Sequence, residues 1–203
     1  MEKRILPLGK QNFEELRLDN MAYVDKTQYV WKLSQTSLTY FLSRPRRFGK
    51  SLLTSTLECY FRGKKDLFKG LYIYDKENAR GKDAWTEYPI ITFYLSSGEY
   101  NNPNGLSDML NSMPDNVIQD YGLTGVYAIY GETLPVRFRN VIMNLKKKTS
   151  KKVVILVDEY GKPLLDTMLT NPEQEEKNRL LYKSFFPPSK TWTAILGLLF
   201  LQE

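Results

Sequence analysis

The sequence predicts an α/β fold, a parallel sheet with helices on both faces, incomplete at its C-terminus. Three observations predict it. An apolar segment, Tyr40–Leu42, runs into Ser-Arg-Pro-Arg-Arg-Phe-Gly-Lys-Ser (Ser43–Ser51) and then into a helical pattern. A second run, Val153–Val157, is wholly apolar, with four of five residues β-branched, and it leads into Asp158-Glu159. Strand-like and helix-like segments alternate along the chain, which calls for a parallel sheet covered on both sides.

Each element follows from its residues in turn. Asn12–Leu18 is a helical stretch in an exposed opening, and Asp25 or Thr27 is placed to cap a helix over Gln28–Leu33. Thr39–Leu42 is expected to be a short buried strand. Lys50–Phe61 brings Leu53, Leu57, Tyr60 and Phe61 to one side of a helix that Gly63 stops. Asp66–Leu71 makes a further turn, and the polar Asn78–Glu87 is loop. Pro89–Leu95 is β-branched and aromatic, a second strand. Leu106–Tyr121 is helical, with Pro114 interrupting it or opening a new turn. Phe138, Ile142 and Leu145 recur at helical spacing within Thr133–Lys147. Val153–Val157 is the third strand, and Pro172–Phe186 is a charged helix stopped by Pro187-Pro188.

Composition narrows the chemistry. The 203 residues are 42% hydrophobic and 26% charged, as in soluble globular proteins. Histidine is absent, which removes His-based triads, His metal sites and His general bases. The single cysteine, Cys59, reads as a small buried hydrophobe and rules out a disulfide framework. With no secretory signal, the expected location is cytoplasmic. The apolar run Ala194–Leu201 is too short to span a membrane, so no membrane partner is expected. The net charge of +6 is concentrated around Thr149-Ser150, where Lys146–Lys148, Lys151 and Lys152 read as the solvated end of a helix. A basic nucleic-acid-binding surface is the alternative reading.

The loop before Lys50 carries the chemistry. In the pattern G-x-x-x-x-G-K-[ST], the first glycine is replaced by Arg44, while Gly49, Lys50 and Ser51 match. Placed between a strand and a helix, such a loop cradles phosphates: Gly49 lets backbone N–H groups turn inward, and Lys50 reaches the β- and γ-phosphates. The Ser51 hydroxyl would ligate Mg2+. Arg47, Phe48, Gly49, Lys50, Ser51 and Leu52 form the expected nucleotide-binding stretch, and ATP with Mg2+ the expected cofactor. Arg46 and Arg47 add charge but stand outside the catalytic set. At the end of the third strand, Asp158 is the second expected metal ligand, and Glu159 would polarise the attacking water. Lys50 and Glu159 are thus the expected catalytic pair of a P-loop NTPase-type hydrolase. A nucleotide-dependent switch or interaction module is a second reading of the same motifs. The tyrosines offer stacking faces for adenine, and none is singled out.

These segments resemble the AAA-ATPase-like family of bacterial proteins, which usually carry a C-terminal nuclease-like domain of the PD-(D/E)XK class. The resemblance rests on Tyr23-Val24-Asp25-Lys26-Thr27, on Phe41–Ser51, on Gly63–Gly70 and on Val157-Asp158-Glu159-Tyr160. It implies an ATPase, makes Arg44 ordinary, and places Tyr23–Thr27 on the nucleotide side. The resemblance implies nucleic acid as a partner through the nuclease-like domain, which is expected to be absent here. The family continues its acidic strand with Asp where this chain has Gly161. The expected domain is therefore 1–186, followed by a non-family tail, 187–203. A synonymous coding string for the tail, read from one base earlier, specifies Asp-Arg-Tyr-Phe-Gly-Phe-Ala-Phe-Leu-Thr-Gly, close to the family's continuation. A frameshift near Phe186, which gene sequencing would reveal, is the expectation. The resemblance also implies a strand, lost with that continuation, between the Thr39 and Val153 strands, bearing a polar residue that senses the γ-phosphate. Ala194–Leu201 is expected to stand in for it.

Overall fold

The computed structural model describes residues 5–36, 39–43, 45, 48–123, 133–186 and 196–202, the last of these as backbone. Its sheet has four parallel strands, β1 (Thr39–Leu42), β2 (Ile90–Tyr94), β3 (Val153–Asp158) and β4 (Leu196–Gln202), in the order β1-β4-β3-β2. Around it stand α1 (Phe13–Leu18), α2 (Thr27–Ser34), α3 (Lys50–Phe61), α4 (Tyr72–Asn78), α5 (Gly105–Asp120), α6 (Leu134–Thr149), α7 (Lys162–Leu165) and α8 (Pro172–Phe185).

Every residue of β3 is buried, and alternate side chains divide between two cores. Val153, Ile155 and Val157 join Ile91 and Phe93 of β2, Phe138 and Ile142 of α6, and Phe185 of α8. Val154 and Leu156 join Phe13 of α1, Val30 of α2, Leu57 of α3 and Ile73 of α4 on the other face. Helices therefore cover both sides, as a parallel sheet requires. Phe138 stacks on Phe185 with ring centres 4.5 Å apart, and Phe93 meets both edge-on. Each such pair adds about 0.5–1.5 kcal/mol beyond the area it buries.

β4 lies between β1 and β3, where Leu199 is level with Thr39 on one side and Ile155 on the other. The expected stand-in by the apolar tail thus occurs over Leu196–Gln202. The remainder of that segment, Ala194 included, lies outside the described residues, as do Pro187 and Pro188. Without β4, facing rows of N–H and C=O groups on β1 and β3 would lose their partners. β4 also sets the level of its neighbours. Phe41 and Val157 both pair with Leu201, so Leu42 and Asp158, the last residues of their strands, lie at the same height, one strand apart.

The helix over Lys50–Phe61 has the expected bounds and stop. Gly63 adopts φ +67°, its N–H donates to the Tyr60 carbonyl, and the Lys64 N–H reaches back to Cys59, which closes the helix end. Other expectations need correction. β1 is half exposed rather than buried, with Thr39 and Phe41 outside, because it is an edge strand whose Tyr40 and Leu42 alone meet the α3-side core. Pro114 does not interrupt α5. It is buried between Leu110 and Val117, where packing offsets the hydrogen bond its missing N–H forgoes.

The helices α4 and α7 were not legible. α4 has no side-chain cap of its own. Its first N–H groups are capped from afar: the Tyr72 N–H donates to Asp25 Oδ2 at 2.7 Å, and the Ile73 N–H to Thr27 Oγ1 at 3.1 Å. Asp25 Oδ1 also accepts from the Thr27 N–H at 2.8 Å and the Thr27 hydroxyl at 2.7 Å. One carboxylate thereby ties the start of α2 to the start of α4, and its charge suits a helix N-terminus.

Candidate functional site

The loop after β1 turns into α3 at Gly49, which adopts φ +74° and ψ +27°. A Cβ there would meet open space, so the left-handed backbone, and no crowding, asks for glycine. The first-turn N–H groups of α3 have no partners within the helix, and a helix start favours anions. Lys50 is the first residue of α3 and Ser51 the second.

α3 runs against β3, and this contact joins the two motifs. The Ser51 hydroxyl hydrogen-bonds the Asp158 carboxylate. Asp158 is only 6% exposed. Burial holds its carboxyl above the usual carboxylate range, against the pull of the Ser51 hydroxyl, the Glu159 N–H and the Lys50 charge; the Glu159 carboxylate pushes the same way as burial. Lys50, Ser51, Asp158 and Glu159 are therefore brought to one place. Of the other expected nucleotide-binding residues, Phe48 is exposed and Leu52 half-buried beside them, while Arg47, with Arg44 and Arg46, lies outside the described residues.

Glu159 leaves β3 at φ +58°, a conformation uncommon outside glycine and costing about 1–2 kcal/mol. The following residues brace it. The Tyr160 ring stacks on Tyr182 at 4.8 Å and meets Phe41 of β1 edge-on at 6.3 Å. The Tyr182 hydroxyl donates to the Tyr160 carbonyl at 2.9 Å. Gly161, where the resemblance implied a carboxylate, is buried and starts α7, its carbonyl accepting from the Leu165 N–H. The neighbouring Lys162 pairs with Asp166 at 2.7 Å.

Beside the loop opens a cavity of about 570 Å³. Phe48, Gly49, Lys50 and Leu52 form one wall, and the N-terminal segment, with Leu6, Tyr23 and Val24, forms another. Tyr23 and Val24 belong to the Tyr23–Thr27 segment that the resemblance placed on the nucleotide side, while Leu6 carried no signal in the sequence; Asp25, which follows Val24, ties this segment to α4.

Oxygen donors such as the Ser51 hydroxyl and the Asp158 carboxylate suit a hard cation that keeps waters and phosphate oxygens as its remaining ligands. Among the described residues, no group of three or more Cys, Asp or Glu side chains could hold a metal by itself. The basic surface is partly engaged internally. Arg62 pairs with Glu58 at 2.8 Å and Lys64 with Glu14 at 2.6 Å, and Lys148 donates to the Tyr121 and Gly122 carbonyls at the end of α5. Cys59 is buried, as expected. No helix among the described residues is long and apolar enough to cross a membrane.

A family model described as "Predicted AAA-ATPase" matches residues 7–202. The chain is 35% identical over 175 residues to the "Uncharacterized protein in vnfD 5′ region" of Azotobacter chroococcum mcd 1, an alignment covering 85% of this chain and 32% of that protein. The chain thus spans about a third of the length of the curated relative it matches. No solved structure matches.

Proposed function

The chain belongs to the AAA-ATPase-like family, and we propose that it binds ATP with Mg2+ in the manner of a P-loop NTPase and hydrolyses the γ-phosphate. The observation that carries this reading is the hydrogen bond from Ser51 to Asp158, which couples the phosphate loop to the acidic strand end.

Each residue then has a task. The free N–H groups at the start of α3 and the Lys50 ammonium bind phosphate oxygens and hold the γ-phosphate in line. Ser51 and Asp158 would hold Mg2+, which supplies charge neutralisation across the β- and γ-phosphates when bound. Glu159 orients a water and takes its proton as the water oxygen bonds to the γ-phosphorus. The bond from that phosphorus to the bridging oxygen breaks, and ADP departs with its electrons. The left-handed turn at Glu159 fits a side chain held for a task, since backbone strain gathers at working positions.

Titration of the protein with MgATP tests the binding half of this reading. Saturable binding that Lys50→Ala weakens by about tenfold or more is expected, since it removes a charged hydrogen-bond donor. Affinity unchanged in Lys50→Ala would refute it. Binding without phosphate release would assign the chain to the switch reading instead.

A further inference from the structure

We propose that Tyr182 of α8 is a positioning residue for Glu159, holding the turn that follows β3 through the Tyr160 backbone. The proposal rests on the reading of Glu159 as the group that orients the attacking water. A buried helix face is ordinarily apolar, because a polar group shut away from water is costly unless it is hydrogen-bonded. α8 instead buries Gln174, Asn178 and Tyr182, each four residues after the last, as a polar stripe along one face.

Two members of the stripe end on backbone carbonyls just after Glu159. The Tyr182 hydroxyl donates to the Tyr160 carbonyl at 2.9 Å. Asn178 Nδ2 donates to the Pro163 carbonyl at 3.1 Å and to the Tyr100 carbonyl at 3.2 Å, while Asn178 Oδ1 accepts from Gln174 Nε2 at 3.0 Å. Between these anchors the Lys162 N–H closes onto the Glu159 carbonyl at 3.1 Å. α8 therefore pins both ends of the turn. Glu159 sits at φ +58°, a conformation that persists only where the surroundings over-determine it. The Tyr160 carbonyl is fixed by the Tyr182 hydroxyl and the Tyr160 ring by its stack on Tyr182, at 11° between planes, so Glu159 relaxes only if both contacts break. A catalytic group displaced by about 1 Å can lose about a hundredfold in rate.

The test uses Tyr182→Phe, which keeps the ring and removes the hydroxyl alone, with thermal melting as the folding control. Hydrogen exchange in the nucleotide-free protein reads the turn directly. The Lys162 N–H is expected to exchange about fivefold faster in Tyr182→Phe than in wild type. Phosphate release from MgATP is expected to lose about tenfold in kcat with nucleotide affinity unchanged, and to lose nothing further in a Glu159→Gln background. Tyr160→Leu removes the stack from its other partner and should give the same pattern. Tyr60→Phe removes a buried hydroxyl, bonded to Glu77, on the opposite face of the sheet, and should leave Lys162 exchange and kcat as in wild type. Unchanged exchange or kcat in Tyr182→Phe, or a kcat loss as large in the Glu159→Gln background as in the wild-type one, would overturn the positioning role and leave the task of Glu159 standing. Undiminished release in Glu159→Gln, or no release by wild type, would overturn that task and the positioning role with it.

Discussion

Glu159 occupies a left-handed backbone conformation directly after the fully buried β3, with its neighbour Asp158 beside Ser51. A glycine there would adopt the same backbone without steric cost, though it adds entropy to the unfolded chain. Glu159→Gly is therefore expected to leave stability unchanged or raise it by up to about 1 kcal/mol in urea unfolding, while removing the carboxylate proposed to orient the water. Destabilisation by more than about 1 kcal/mol would mean that the side chain, not the task, holds the turn. Asp25 behaves in the opposite way. It accepts from two groups of Thr27 and from the first N–H of α4, so Asp25→Ala should cost about 1–2 kcal/mol of stability by the same measurement. Because Asp25 directly follows Val24 of the cavity wall, the same variant should also weaken MgATP binding.

At the scale of elements, α3 and β3 were legible because their signals are local. A periodic apolar face, a closing Gly63 and a β-branched run ending in Asp158-Glu159 lie within a few residues of what they specify. α4 was not, because its caps come from Asp25 and Thr27, 47 and 46 residues away in sequence. The exposure of Phe41 was missed for a related reason: edge position depends on strand order, which no short window contains. Pro114 misled because its cost is visible locally and the packing that offsets it is not. The proposed site could be listed from sequence as Gly49 to Ser51 with Asp158 and Glu159. The hydrogen bond joining its halves, and the opposite wall of the cavity, became visible only in three dimensions. β4 carries the sharpest prediction at this scale. Leu199 pairs on both sides, so Leu199→Pro breaks a central ladder and is expected to cost about 3 kcal/mol or more in thermal or urea unfolding. A variant as stable as wild type would show that β1 and β3 do not depend on this strand.

Among the described residues, several buried groups tie stability to pH, Cys59 and Tyr100 among them. Burial pushes the Cys59 thiol up to about 12 from an ordinary value of 9.0, and the Tyr100 hydroxyl up to about 12 from 10.0. The folded protein keeps both protons where the unfolded chain releases them. Their contribution is fully present below pH 9 and is lost as pH rises from there toward 12. Urea midpoints measured at successive pH values should fall through this window. A midpoint constant across it would contradict the burial of these groups. The same burial predicts that Cys59 resists alkylation until the protein unfolds.

The loop at Lys50 and the strand end at Glu159 are proposed to form one hydrolytic site. The most direct test is phosphate release from ATP, with nucleotide binding followed in parallel, for wild type and Glu159→Gln. Wild type is expected to release phosphate only with Mg2+. Glu159→Gln should bind ATP as wild type does and release phosphate about a hundredfold or more slowly. Release that persists undiminished in Glu159→Gln would contradict the claim.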